Sequence, residues 1–291
     1  KITVLSTVLA DVGLGEWGYS ALAEVDGRKI LFDTGAHPDV VLANAREMKV
    51  DLAQVEIVVL SHNHNDHTGG LVSLRRALMA ANPRAVATAH LGAGALSPRL
   101  DGHGVDHNSL PAKRAAYEAL GGHWVEHAGP FALAPGVWLT GPVPRPNDEH
   151  NWQPGLHLAD AQGRPGVEDT VPEDSSLVFD TAKGLVVLTG CGHAGVVNIC
   201  QYARRIVRPA PIDGLVGGLH LLAASDAKLA WTAAKLRAMG VRHLLAGHCT
   251  GIEATYRLRA ALGLSRATAV VSAVGSSYDL ADGIHAGELA G

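Results

Sequence analysis

The chain is poor in cysteine, has no surplus of basic charge and contains no long apolar run. Its three cysteines, Cys191, Cys200 and Cys249, are an odd number in 291 residues and exclude a disulfide framework. With 24 Lys and Arg against 28 Asp and Glu the net charge is −4, so there is no basic field for nucleic acid or an anionic membrane. Without an apolar run of spanning length, the sequence predicts a soluble protein. The compartment stays open. A start at Lys1, with strand-like sequence almost at once, fits a cytoplasmic protein carrying a tag remnant or an exported one whose N-terminal signal was removed. There is no internal repeat, and 47% hydrophobic content over this length suffices for one large domain spanning 1–291.

Histidine is abundant, sixteen in all. Three fall with one aspartate inside Ser61-His62-Asn63-His64-Asn65-Asp66-His67-Thr68-Gly69-Gly70, directly after the apolar β-rich run from Val55 to Leu60. Along an extended loop residues i and i+2 point the same way, so His62 and His64 converge from one side. Asp66 and His67 lie past the bend and face a second position. Imidazole with carboxylate suits zinc, and also iron or manganese. Without a cation, burying these groups together would leave polar atoms unpaired at a cost of about 1–3 kcal/mol each.

His62-x-His64-x-Asp66-His67 after a strand resembles the HxHxDH signature of the metallo-β-lactamase superfamily of metallohydrolases. Leu31-Phe32-Asp33-Thr34-Gly35 before it, Thr189-Gly190-Cys191-Gly192-His193 after it and Ala246-Gly247-His248-Cys249-Thr250-Gly251 near the end agree in order. The later pieces, with Gly217-Gly218-Leu219-His220 between them, are similar to the subgroup related to the methanopterin-pathway dihydropterin synthase. The resemblance implies an α/β protein folded as a four-layer αβ/βα sandwich. It also implies that Asp33 orients the ligands from behind, although an acid at a strand end can equally be a simple cap. Two departures stand out. Cys191 occupies the place of the usual bridging aspartate, and Val171-Pro172-Glu173-Asp174 occupies the place of a further histidine.

The elements alternate. Strands at 2–9, 19–26 and 29–32 precede a helix over 38–48, the strand before the ligand loop and a helix over 71–81. Asp26-Gly27 marks a hairpin turn. From about 89 to 172 the pattern thins to a helix near 110–120 and short strands near 123–126 and 131–139, and reads as a long, loop-rich, substrate-covering insertion. His103, His107, His150, Trp152 and His157 in it are candidates to line the entrance. A hairpin over 175–189 follows, then helices over 194–207, 225–239 and 252–262 alternating with strands at 212–216, 242–246 and 267–271, before a Gly-rich tail.

The expected centre holds two divalent ions, zinc first, the first on His62, His64 and His193 and the second on Asp66, His67 and His248. Glu173 and Asp174 are the alternatives to His193. Cys191 is either a thiolate ligand or an inert turn residue. Asp66 is a candidate proton acceptor and His220 a candidate proton donor, ligand or core histidine. The chemistry expected is hydrolysis, with a metal-bound hydroxide attacking an ester, lactone, amide or phosphoester of a small molecule. The alternative is a dihydropterin synthase-like transferase acting on a pterin diphosphate, whose anionic substrates call for clustered Arg or Lys. Between 89 and 172 only Arg99, Lys113, Arg114, Arg145 and Arg164 are available.

Overall fold

The apolar β-rich runs pair into two sheets in a computed structural model that describes residues 1–288. The first sheet has eight strands in the order Gly283–His285, Ser277–Asp279, Ile2–Ser6, Ser20–Val25, Arg28–Phe32, Ile57–Leu60, Thr88–Gly92 and His123–His127. The second has seven, in the order Ala269–Val271, His243–Ala246, Ile212–Gly217, Gly184–Thr189, Leu177–Thr181, Val137–Leu139 and Phe131–Ala134. In the first sheet pairing is parallel from Arg28–Phe32 to His123–His127, and in the second from Gly184–Thr189 to Ala269–Val271.

Parallel neighbours need crossovers, which the helices supply. Val40–Glu47, Leu71–Leu78 and Leu110–Glu118 serve the first sheet, and Val196–Ile206, Asp226–Ala238 and Ile252–Leu262 the second. Because both faces of these strands are covered, successive residues divide between two cores. Phe32, Val59, Leu188, Val216 and Leu245 fill the space between the sheets. Their neighbours Leu31, Val58 and Leu60 pack outward with Val41, Leu71 and Leu74. Val187, Leu215 and Leu244 pack outward with Ile199, Leu236 and Leu258. Three apolar spaces separate four layers, helix, sheet, sheet and helix, as the αβ/βα reading requires.

Within 89–172 the expected helix and short strands are present as Leu110–Glu118, His123–His127, Phe131–Ala134 and Val137–Leu139, and Thr88–Gly92 is an additional strand; with it His123–His127 completes the first sheet, while Phe131–Ala134 and Val137–Leu139 complete the second. The loop-rich portions are confined to 93–109 and 140–172, where Arg99–Leu100, His157–Ala159 and Pro165–Glu168 form a small separate sheet. The Gly-rich tail also carries order: Ser277–Asp279 and Gly283–His285 extend the first sheet, with Tyr278 buried between the sheets. The Asp26-Gly27 turn has positive φ at both residues, the backbone a tight two-residue hairpin needs.

Parallel strands end at a common edge, where sites in such sheets form. Asp33 follows Phe32, His62 follows Leu60 and Ser61, Cys191 and His193 follow Thr189, His220 follows Gly217, and His248 follows Ala246.

Candidate metal centre

At that edge, nitrogen, sulfur and carboxylate atoms gather in three overlapping groups: His62, His64 and His193; Asp66, His67, Cys191 and His248; and Cys191, His193 and His220. Within each group the candidate ligand atoms lie within 4.8 Å of one another. The first sheet contributes the 62–67 loop and the second contributes Cys191, His193, His220 and His248, so the centre lies across the seam between them.

Asp33 fixes the ligand loop from beneath. Its Oδ1 accepts from the Ser61 amide at 2.7 Å, and its Oδ2 accepts from Ser61 Oγ at 2.7 Å and from His67 Nδ1 at 2.7 Å. Ser61 Oγ has one proton and gives it to Asp33, so at 2.8 Å it accepts from His62 Nδ1. His193 Nδ1 donates to the Asn151 carbonyl at 2.5 Å. Each Nδ1 is thereby committed, and the Nε2 atoms of His62, His67 and His193 turn inward. The approach is close: a Cβ on Gly190 would come within 2.0 Å of Ser61 Oγ and 2.8 Å of Asp33 Oδ2. Asp33, His220 and His248 all hold positive φ, near 50–58°, a strained backbone for these side chains that the surrounding sheets enforce.

The residues fit a cation. Among the described residues His62 Nε2 and His193 Nε2 are buried with no hydrogen-bond partner, which a lone-pair acceptor would otherwise maintain at a cost. His67 Nε2 faces His248 Nε2 at 3.2 Å and Cys191 Sγ at 3.1 Å, and Asp66 Oδ2 stands 3.3 Å from His248 Nε2. Burial, then the neighbouring imidazoles, pushes the His62 and His193 pKa values well below the usual histidine range, and burial lowers His64 to about 4. All three are neutral, as ligation demands. For His67 burial works downward, but the carboxylates of Asp33 and Asp66 outweigh it and raise the pKa to about 9. For Asp66 burial works upward and the imidazoles of His67, His248 and His64 overcome it, holding the carboxyl ionised. Burial, with Cys249 beside it, drives the Cys191 thiol well up.

The remaining expected residues divide. Glu173 and Asp174 are engaged elsewhere. Asp174 accepts from the Ala194 amide at 2.9 Å, and Glu173 binds Arg99 Nη2 at 2.7 Å and the Asn63 amide at 3.3 Å. Trp152, with Asp66 and His220, lines a cavity of 560 Å³ that opens onto the ligands. His150 borders an adjoining cavity, its ring 4.8 Å from Trp152. His157 does not line the entrance. Its strand is committed to pairing with Leu100 on one side and Glu168 on the other, and Leu156 reaches the cavity instead. His107 borders only a small side cavity and bonds Asp101 at 3.0 Å, while His103 borders none of the cavities described here.

Sequence reasoning missed three groups. Trp17 stands 5.1 Å from the His248 ring in a segment with no periodic signal. Arg99, 1% exposed, pairs with Asp169 at 2.8 Å and with Glu173, and so ties the loop-rich segments to the ligand loop. Glu149 accepts from the Asn198 amide at 2.9 Å at the start of the Val196–Ile206 helix, which anchors the strap carrying Asn151. None of these carries a local motif.

Comparisons with known proteins agree with this geometry. A family model described as the metallo-beta-lactamase superfamily matches residues 18–207. The chain is 30% identical over 247 residues to the 7,8-dihydropterin-6-methyl-4-(beta-D-ribofuranosyl)-aminobenzene-5'-phosphate synthase of Methanocaldococcus jannaschii, covering 81% of this chain and 82% of that one. Among solved structures, Tm1679, described as a metal-dependent hydrolase of the beta-lactamase superfamily, superposes with a TM-score of 0.72 at 25% identity, covering 90% of this chain and 92% of the other. Zn(2+)-bound PqqB from Methylobacterium extorquens shares the fold with a TM-score of 0.51 at 15% identity, covering 96% and 99%.

Proposed function

Since the chain belongs to the metallo-β-lactamase superfamily, we propose that it is a metal-dependent hydrolase of small-molecule esters, lactones, amides or phosphoesters. One observation carries this reading: two groups of inward-facing ligand atoms share one edge of a 560 Å³ cavity. His62, His64 and His193 would hold one divalent ion, and Asp66, His67, Cys191 and His248 a second, with zinc suited to the nitrogen and sulfur donors. Bound there, such ions supply an acidified water and a Lewis acid for the scissile group. Asp33 and the Asn151 carbonyl keep the imidazoles in the ligating tautomer. Asp66, held ionised by three imidazoles, is a weak base, so ligation suits it better than proton abstraction. His220 is half-buried, lies 4.5 Å from the His193 ring and faces the cavity, a position from which it would protonate a departing oxygen or nitrogen.

Likeness to the dihydropterin synthase favours a second reading, a transferase acting on a pterin diphosphate, in which an aminobenzene nucleophile forms the new bond as diphosphate leaves. That substrate is strongly anionic, yet among the described residues the cavity is lined by Asp66 and Asp169 and by no Lys or Arg. Hydrolysis therefore leads. The test is a panel of p-nitrophenyl esters, phosphodiesters, lactones and β-lactams, assayed with zinc and with chelator, alongside His64→Ala. Chelator-sensitive turnover that His64→Ala abolishes supports hydrolysis. Zinc-loaded protein inert to the whole panel but joining a pterin diphosphate to an aminobenzene nucleophile would replace it.

A further inference from the structure

We propose that the substrate carries an uncharged flat ring, seated on Trp17 and Trp152 in a second lobe of the cleft; this deepens the hydrolase reading and rests on it. A cavity of 440 Å³ adjoins the metal-facing one, and the two share Trp17, Trp152, Gln153, Pro154, His220 and Cys249. They are lobes of a single cleft that meet beside the ligands. Aromatic residues make up only 4% of the sequence, yet two of its five tryptophans stand at this junction.

The tryptophans are placed as walls. Trp17 is 52% exposed, although its ring approaches His248 to 5.1 Å, so its free surface belongs to the cleft. The Trp152 ring is braced by the Arg145 guanidinium at 5.4 Å and the His150 ring at 4.8 Å. Leu222, 62% exposed, adds apolar surface to the outer lobe. Indole surfaces favour flat, polarisable groups over aliphatic ones of equal area. Among the described residues the outer lobe is lined by one lysine, Lys228, and one carboxylate, Asp148, so it offers no cluster of Lys or Arg to an acidic tail. A cleft of this size, apolar at one end and ligand-lined at the other, fits an aryl or heteroaryl ester, amide or lactone whose reacting group points at His62, His64 and Asp66.

The experiment uses the full chain loaded with zinc and the variant Trp17→Leu, whose exposed position spares the core. With 2-naphthyl acetate and ethyl acetate as substrates, the variant should lose preference for the aryl ester. The ratio of their kcat/KM values should fall about five- to tenfold, through KM rather than kcat. Calorimetric titration with 2-naphthol reads the same lobe without turnover. Binding should weaken about five- to tenfold in Trp17→Leu and recover in Trp17→Phe. Naphthol binding that depends on Trp17 in a protein lacking esterase activity would sink the hydrolase reading and leave the ring lobe standing. Esterase activity with an unchanged preference and unchanged naphthol affinity would sink the ring lobe alone. Tighter binding of 6-hydroxynaphthalene-2-sulfonate than of 2-naphthol would overturn the uncharged ring.

Discussion

The Asp33 carboxylate accepts from His67 Nδ1 at 2.7 Å and also takes both hydrogen bonds offered by Ser61, so one buried acid sets the orientation of the ligand loop. Asp33→Asn keeps the shape but puts an amide donor where an acceptor is needed. Metal affinity should fall by about 10- to 100-fold, measured by competition against a chromophoric chelator. An unchanged affinity would show that the loop is oriented by packing alone.

The two ligand groups should respond differently to acid. A protonated imidazole cannot ligate, and His67, held up to about 9 by Asp33 and Asp66 against the pull of burial, carries a proton at neutral pH that an ion must displace. Affinity at the Asp66, His67, Cys191 and His248 group should therefore drop by at least about tenfold per unit as pH falls below that value, His67 giving up one proton and a ligating Cys191 thiol, pushed up by burial, a second. His64, lowered to about 4 by burial, is free of its proton over the whole neutral range, and His62 and His193 lie lower than usual as well. The ion on those three should persist down to mildly acidic pH. Elemental analysis after dialysis across a pH series checks the order of loss; simultaneous release would contradict it.

Cys191 lies 3.1 Å from His67 Nε2, within the reach of a shared ion. Cobalt-substituted protein should show a near-ultraviolet thiolate-to-metal charge-transfer band that Cys191→Ser removes. If the band survives the substitution, the thiol is a turn residue and not a ligand.

Arg99→Met would strand the buried carboxylates of Asp169 and Glu173, which Arg99 pairs at 2.8 and 2.7 Å. Removing one partner of a buried ion network costs about 3–5 kcal/mol, to be read from urea unfolding. A loss under about 1 kcal/mol would mean that the carboxylates protonate and relax without harm.

Much of this centre was readable from residue order. His62, His64, Asp66 and His67 are local, set by the strand before them, and His193 and His248 are found because parallel strands end at one edge. The four layers follow from strands apolar on both faces. Trp17, Arg99 and Glu149 were not readable, because each acts through a partner far away in the chain and sits in sequence without period. His157 misled for the same reason: being histidine in a loop-rich stretch says nothing about which way its strand turns. The terminal strands near 277 and 283 are only three residues each, too short to register as alternation.

The seam between the sheets has a mechanical consequence. Since the His62, His64 and His193 group and the Asp66, His67, Cys191 and His248 group both draw on the two halves of the molecule, a captured cation would act as a rivet between them, shortening excursions in which the halves part. Hydrogen exchange of the Gly184–Thr189 and Ile57–Leu60 amides, which lie next to the rivet on opposite sides, should slow together when zinc is added and quicken together when it is stripped.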